Sequence, residues 1–194
     1  GSRTQEVTYM LPVMSRLAAD FPAYQFVISG TPWLSDSLYR KFNPDASLPL
    51  LYQQTYELLH HAHAALVTSG TATLETALLN VPQAVLYKMK GGKISYDIFR
   101  SLFLKVRFIS LPNLILGRMT VRELVMNEMR YEMVLPELKR LLLDEAYRKS
   151  MLNDYATLQQ RMGDPGAAER AASIMTELLT GESVKKAQTG TNNH

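Results

Sequence analysis

Short, unbroken apolar runs alternate with helix-patterned segments along the first two thirds of this chain. Four runs have the length and apolar content of buried strands: residues 24–30 (YQFVISG), 64–68 (AALVT), 83–88 (QAVLYK) and 106–113 (VRFISLPN). Four segments have helical character instead: residues 4–20, 56–64, about 72–79 and 95–105. Strands that are apolar on both faces and alternate with helices are typical of a parallel sheet. The pattern predicts an α/β, Rossmann-like fold with helices on both faces of one parallel sheet.

The rest of the chain predicts further helices and a tail. From Val121 to about Leu179 the spacing is helical, with interruptions at Pro136 and at residues 163–166 (GDPG). The final stretch, residues 180–194, is polar and is predicted to be disordered. We therefore expect one domain over residues 1–179 and a disordered tail over residues 180–194.

Composition limits the partners of this chain. With 46% hydrophobic and 20% charged residues among 194, it is typical of soluble globular proteins. A net charge of +3 is too small to indicate nucleic-acid binding, so no nucleic-acid partner is expected. The absence of cysteine excludes disulfides and thiolate zinc sites and agrees with a cytoplasmic setting. No apolar run reaches the roughly 20 residues that a membrane helix needs.

The turn between the predicted strand AALVT and the next helix is a candidate anion site. Ser69, Gly70 and Thr71 lie where the helix should begin, and the first amides of a helix lack intrahelical partners. Gly70 permits close backbone approach, and the helix dipole favours a phosphate there. Glu75 lies too deep to be the N-cap, and its carboxylate could accept hydrogen bonds from ribose hydroxyls. The alternative is simple capping by Ser69 or Thr71, with Glu75 complementing the dipole.

Two other polar groups allow competing interpretations. Residues 1–3 (GSR) would offer a second phosphate site, because the Arg3 guanidinium can grip two oxygens of a diphosphate. The alternative is a cloning remnant or a solvated terminus. His60, His61 and His63 suggest a metal, but they lack the spacing and the carboxylates of known sites. We predict structural or solvated histidines and no metal.

Residues 88–107 (KMKGGKISYDIFRSLFLKVR) combine basic and apolar side chains. Such a segment suits a helix that lies on an anionic membrane surface, and a core-packed helix with a charged solvated face is the alternative. The residues predicted to form this acceptor or membrane surface are Lys88, Lys90, Lys93, Phe99, Arg100 and Phe103.

Three motifs together resemble those of the lipid-A-disaccharide synthase family, which are bacterial glycosyltransferases of the GT-B type. They are SGTATLETALLNVPQAVLYK, SLPNLILGR and the opening GSRTQEV, and PGAAERAA near the end extends the similarity. The resemblance covers roughly residues 1–179 and implies the C-terminal, nucleotide-sugar-binding half of a GT-B fold, followed by C-terminal helices.

The resemblance implies an activity and its setting. The family transfers 2,3-diacylglucosamine from its UDP-linked donor to 2,3-diacylglucosamine 1-phosphate, releasing UDP, at the cytoplasmic face of the inner membrane. The implied partners are this donor, the lipid acceptor and the membrane surface, to which the protein would be peripheral. Because the general base is expected in the other half, we expect this chain to bind UDP without turnover. A homo-oligomer is expected because the last helix of GT-B enzymes usually packs on the other domain.

The resemblance also assigns roles. Ser2, Arg3, Ser69, Gly70 and Thr71 would hold the diphosphate, and Glu75 would bind the ribose. Arg3 would stabilise the departing UDP, and Asn113 would contact donor or acceptor, so these two are the expected catalytic residues, with Arg118 a weaker candidate. No cofactor is expected, because Arg3 and helix dipoles can stabilise the charge.

Two other functions compete with this interpretation. One is another UDP-sugar enzyme of the same fold, such as a peptidoglycan N-acetylglucosamine transferase or a UDP-sugar 2-epimerase. The other is a non-catalytic assembly module in which the Ser-Gly-Thr turn only caps a helix.

Overall fold

The computed structural model describes residues 3–43, 48–68, 70–88 and 107–163, together with Gly166, Ala172, Ser173, Met175 and Thr176. The chain divides into two compact units, Gly1–Gln159 and Gln160–His194. The five described strands all belong to the first unit. The predicted domain boundary at residue 179 lies outside the described residues and stays a prediction.

Helices and strands alternate along most of the described chain. In chain order they are α1 (Thr4–Leu17), β1 (Ile28–Gly30), α2 (Asp36–Phe42), β2 (Leu50–Tyr52), α3 (Thr55–His61), β3 (Ala65–Val67), α4 (Gly70–Leu78), β4 (Gln83–Tyr87), α5 (Leu111–Leu116), β5 (Arg122–Val125), α6 (Tyr131–Leu143) and α7 (Glu145–Met162). Short 3₁₀ turns follow α1 and β5. Within the described ranges, no helix combines the length and apolar character needed to cross a membrane.

All of the strand pairs are parallel. β1 pairs with β2, and β3, β4 and β5 form a second sheet in that order. In the second sheet Val67 lies level with Val85, and Val85 lies level with Glu123. Because parallel strands end at the same edge of a sheet, the loops after β3 and the residues around β5 meet there. The predicted α/β fold with parallel strands flanked by helices is confirmed.

Helix α1 packs against both sheets. Met10 and Leu17 join the buried cluster that includes Leu86 of β4 and Leu124 of β5. Val7 and Leu11 join a second cluster, against which Ile28 of β1 and Leu50 and Tyr52 of β2 pack. Residues three and four apart share one helix face, so this stripe buries α1 along its length.

The segment predicted as the strand 106–113 contains a helix start. Ser110 precedes α5 with extended backbone, and Pro112 occupies the first turn, where a missing N–H costs little. The Glu123 carboxylate accepts hydrogen bonds from the Ile109 amide at 3.0 Å and the Ser110 amide at 2.9 Å, which occupies donors that a strand would use. Among the described residues of this segment, 107–113, none lies in a strand, so the strand prediction is wrong there.

Two predictions downstream of Val121 are also wrong. Residues Arg122–Val125 form β5 and not a helix, because Val121 and Leu124 are buried and the strand completes the ladder with β4. Pro136 does not interrupt α6. A helix-interior proline costs about 3 kcal/mol. The helix offsets that cost because each buried side chain, such as Val134, Leu138 and Leu141, contributes about 1.5–3 kcal/mol.

Glu123 should contribute more to the free energy of unfolding than an ordinary surface carboxylate does, because it holds the start of α5. It also accepts from the Ser110 hydroxyl at 2.7 Å and the Asn113 amide at 2.8 Å. Glu123→Gln replaces an acceptor oxygen with a donor, so we expect a loss of about 1–3 kcal/mol in the free energy of unfolding. Denaturant titration measures this loss.

The matched control for that prediction is Glu128→Gln. Glu128 pairs only with the exposed Arg122 guanidinium at 3.2 Å among the contacts described for it, and exposed pairs contribute at most about 1 kcal/mol. Equal losses in the two variants would contradict the role given to Glu123.

Candidate functional site

The start of α4 is an open helix N-terminus at the carboxyl edge of the sheet. β3 ends at Val67, and α4 begins only three residues later at Gly70. A Cβ atom placed on Gly70 would meet no atom within 4 Å, so a ligand can approach this backbone closely. The first amides of a helix have no intrahelical acceptor and carry the positive end of its dipole. Ser69, which the sequence analysis placed here, lies outside the described residues.

Thr68 adds a buried hydroxyl beside this helix start. It is 7% exposed, and its Oγ1 has no hydrogen-bond partner among the described residues. A buried polar atom without a partner is costly and uncommon. Thr68 also lines a cavity of about 870 Å³.

Thr71 and Glu75 line the same cavity. Thr71 is exposed and Glu75 is half-buried one turn further along α4. Within the described part of the chain, no hydrogen bond or ion pair is found for the Glu75 carboxylate. Thr68, Thr71 and Glu75 therefore line one cavity, and no described residue uses the hydrogen-bonding capacity of the Glu75 carboxylate.

Internal hydrogen bonds hold the start of α4 in place. The Thr73 hydroxyl donates to the Gly70 carbonyl at 2.5 Å and accepts from the Leu111 amide of α5 at 3.3 Å. The buried Gln83 amide donates to the Thr73 carbonyl at 2.8 Å and to the Tyr155 hydroxyl at 3.3 Å. Burial raises the pKa of the Tyr155 hydroxyl, so it stays protonated in this core. The helix start is thus fixed from two sides before any ligand binds.

The N-terminal candidates are only partly described. Arg3 is exposed, and its backbone amide donates to the buried Glu6 carboxylate at 3.2 Å. This contact fixes the first turn of α1 and leaves the Arg3 side chain at the surface. Glu6 lines the cavity and Arg3 does not. Ser2 lies outside the described residues.

Asn113 has a different setting from the one expected. It lies in the first turn of α5, is fully buried, and does not line the cavity. Its Oδ1 accepts from the Thr120 amide at 2.7 Å and the Val121 amide at 2.9 Å. Its Nδ2 donates to the Val121 carbonyl and to Glu123, each at 2.8 Å. With both ends of its amide engaged, Asn113 holds the loop between α5 and β5 in this structure.

The structure describes two of the other predicted residues, Arg118 and Lys88, and neither lines the cavity beside α4. The Arg118 guanidinium pairs with Asp154 at 2.5 Å. Lys88 is half-buried just after β4. Lys90, Lys93, Phe99, Arg100 and Phe103 lie outside the described residues.

The three histidines have separate surroundings. His61 pairs with Glu57 at 3.4 Å on the exposed side of α3. A ring nitrogen of His63 lies 3.2 Å from the Leu142 carbonyl, and the other lies 3.4 Å from the Arg148 guanidinium. Across the described ranges, no group of three metal-binding side chains is assembled.

Sequence reasoning missed some residues that shape this site. Thr68 was treated only as the end of a strand, although its position directly before a Ser-Gly turn places it at the carboxyl edge. Trp33 and Tyr56 also line the cavity and are 68% and 59% exposed. Nothing local in the sequence connects them, because they follow different strands.

Comparisons with known proteins agree with the motifs. A family model described as lipid-A-disaccharide synthetase matches residues 1–176. The chain is similar to proteins named lipid-A-disaccharide synthase from Myxococcus xanthus (37% identical), Syntrophus aciditrophicus (35%) and Anaeromyxobacter dehalogenans (34%). Each alignment covers 92% of this chain and 48% of the relative, so the chain spans about half the length of these relatives.

The family match covers the helix starts of both α1 and α4 and extends through α7. The Ser-Gly-Thr motif is compatible with several families of UDP-sugar enzymes, and the family match selects one of them. The resemblance inferred from the sequence motifs is confirmed: this chain belongs to the lipid-A-disaccharide synthetase family.

Proposed function

We propose that this chain binds the UDP portion of a diacylated glucosamine donor within an enzyme that forms the lipid A disaccharide. The observation that carries the proposal is the start of α4, where an open Gly70 backbone adjoins the buried Thr68 hydroxyl, which has no hydrogen-bond partner among the described residues. Amides at a helix N-terminus suit a phosphate, and a hydroxyl without a partner gains one when an oxyanion binds. Family membership supports the choice of UDP as the nucleotide.

In the proposed arrangement, three parts of the chain hold the nucleotide: the start of α4, the loop before α1, and Glu75. The diphosphate lies against the first amides of α4, with hydroxyls from Thr68, Ser69 and Thr71 and with Ser2 and Arg3 from the loop before α1. Glu75, one turn along the helix, accepts hydrogen bonds from the ribose hydroxyls. Thr73 and Gln83 do not touch the ligand but hold the helix start rigid.

The reaction follows from where charge develops. The acceptor hydroxyl attacks the anomeric carbon of the donor, the bond from that carbon to the diphosphate oxygen breaks, and a base takes the hydroxyl proton. Negative charge grows on UDP as it leaves. Helix amides and Arg3 stabilise this charge more strongly in the transition state than in the bound, intact donor. Asn113 and Glu123 act as positioning residues for α5, which contacts α4 through Leu111. The general base is expected outside this chain.

Calorimetric titration with UDP and 2′-deoxy-UDP tests the ribose contact. Glu75→Gln should weaken UDP binding by about tenfold or more, because hydrogen bonds to a charged carboxylate contribute about 1.5–3 kcal/mol. The wild-type protein should prefer UDP to 2′-deoxy-UDP, and the variant should lose most of that preference. The readout separates ribose recognition from general damage to the fold.

The control for this titration is Glu132→Gln, which changes an exposed glutamate in the first turn of α6 and away from the cavity. It should bind both nucleotides as the wild-type protein does. UDP binding that is unchanged in Glu75→Gln would contradict the ribose role, and no UDP binding at all would favour the assembly-module alternative.

The membrane is the second proposed partner. Because the acceptor is a lipid, residues 88–107 would bring the protein to the anionic surface of the inner membrane. The homo-oligomer expected from the sequence also stays a prediction.

Vesicle sedimentation tests the membrane proposal. A double variant, Lys90→Glu and Lys93→Glu, should reduce binding to anionic vesicles by about thirtyfold or more, because each basic residue near such a surface contributes about 1 kcal/mol. The matched control reverses two exposed lysines elsewhere, Lys139→Glu and Lys149→Glu. Equal losses of binding in the two double variants would contradict a specific role for this segment. Equal binding of the wild-type protein to neutral and to anionic vesicles would contradict it as well.

A further inference from the structure

A chain of buried hydrogen bonds connects α7 to the start of α4. The Tyr155 hydroxyl of α7 accepts a hydrogen bond from the Gln83 side-chain amide at 3.3 Å. The same amide group donates to the Thr73 carbonyl at 2.8 Å. The Thr73 hydroxyl in turn donates to the Gly70 carbonyl at 2.5 Å. The first three of these residues are fully buried, so groups that are distant in sequence converge on the first turn of α4 inside the core.

Helix α7 holds Gln83 by its backbone as well as by its side chain. The Gln83 backbone amide donates to the Met151 sulfur at 3.3 Å, and Met151 lies one turn before Tyr155 on the same face of α7. Both side chains belong to the buried cluster that contains Ala84 of β4. Gln83 is the first residue of β4, so α7 fixes the start of this strand together with the amide side chain.

The Gln83 side chain is costly to bury. Its Oε1 atom has no hydrogen-bond partner among the described residues, and a buried polar atom without a partner destabilises a fold. The bond to the Thr73 carbonyl is an additional one, because within α4 that carbonyl faces the Ala77 amide four residues on. A methionine side chain of similar length would fill the same space without an unpaired oxygen. Core stability therefore does not account for an amide at this position.

The bond from Gln83 acts where the proposed phosphate contacts lie. Thr73 completes the first turn of α4, whose amides have no intrahelical acceptor. Its hydroxyl also accepts from the Leu111 amide at 3.3 Å, so α5 holds the same residue from another direction. Donors stabilise an anion best when their direction is set before the charge arrives. Holding Thr73 in place sets the direction of the amides that precede it.

We propose that Gln83 and Tyr155 are positioning residues for the diphosphate, which hold the first-turn amides of α4 in the direction that a bound diphosphate needs. The inference rests on the proposed function, because it concerns the same nucleotide site. It goes further by making α7 a determinant of nucleotide affinity, although no residue of this helix lines the cavity.

Positioning predicts that stability and affinity change in different directions. Gln83→Met removes the unpaired oxygen together with the amide, so the denaturation midpoint should be unchanged or higher than in the wild-type protein. UDP should bind about tenfold more weakly, as expected when a hydrogen bond that orders the site is lost. Uridine lacks the diphosphate and should bind equally to both proteins. Tyr155→Phe removes only the more distant hydroxyl, so its loss of UDP affinity should be smaller. Calorimetric titration measures the affinities.

Amide hydrogen exchange without ligand tests the same inference. The Leu74 amide donates to the Gly70 carbonyl within α4 and therefore reports on the first turn. In Gln83→Met this amide should exchange about tenfold faster, whereas Val85 in the middle of the second sheet should keep its wild-type rate.

The matched control makes the same chemical change elsewhere on α7. The Gln159 side chain donates to the Leu78 carbonyl at 3.1 Å, at the far end of α4. Gln159→Met should therefore leave both the exchange rate at Leu74 and the affinity for UDP at their wild-type values.

Three results would overturn the inference. One is wild-type affinity for UDP in Gln83→Met. Another is a loss of affinity that is equal for UDP and uridine and comes with a lower denaturation midpoint, because that pairing indicates general damage to the fold. The third is a wild-type exchange rate at Leu74 in this variant. If the wild-type protein itself binds no UDP, the nucleotide proposal fails as well. If only the comparison of variants fails, the nucleotide proposal stands.

Discussion

The register of the parallel ladder from β3 to β5 determines what this molecule can do. Val67, Val85 and Glu123 lie level across the three strands, so the end of β3 and the carboxylate that organises α5 share one edge. The hydrogen bond between Thr73 and the Leu111 amide then links α4 to α5. A one-residue slip of β5 would send Glu123 to the other face and release the start of α5. The candidate ligand-binding edge therefore depends on strand pairing as much as on its own side chains.

Much of the fold could be predicted because buried parallel strands and amphipathic helices leave strong local patterns. The segments from residue 24 to residue 88 have those patterns, and β1, β3, α4 and β4 were found there. The failures lie where a distant group overrides the local pattern. Glu123 takes the amides of Ile109 and Ser110, and pairing with β4 makes a strand of Arg122–Val125. Neither effect is visible within a short window of sequence.

The candidate site likewise combines features that the local sequence predicted with features that depend on distant parts of the chain. The Ser-Gly-Thr motif predicted a helix start directly after the strand, and α4 begins there, at Gly70. The proposed role of Thr68 could not be predicted, because it rests on burial of a hydroxyl that has no partner in the described part of the chain. For Asn113 the ligand contact inferred from the motif stays a prediction, and in this structure its amide holds the loop before β5. Motif membership alone does not separate contact from support.

The central claim is that the start of α4 binds the diphosphate of a uridine nucleotide. Amide-resolved NMR of the protein with UDP and with uridine addresses it most directly, because the two ligands differ only in the diphosphate. UDP should shift the amide signals of Gly70, Thr71 and Ala72 strongly, and uridine should leave them nearly unchanged. Shifts confined to other regions, or equal shifts with both ligands, would contradict the account.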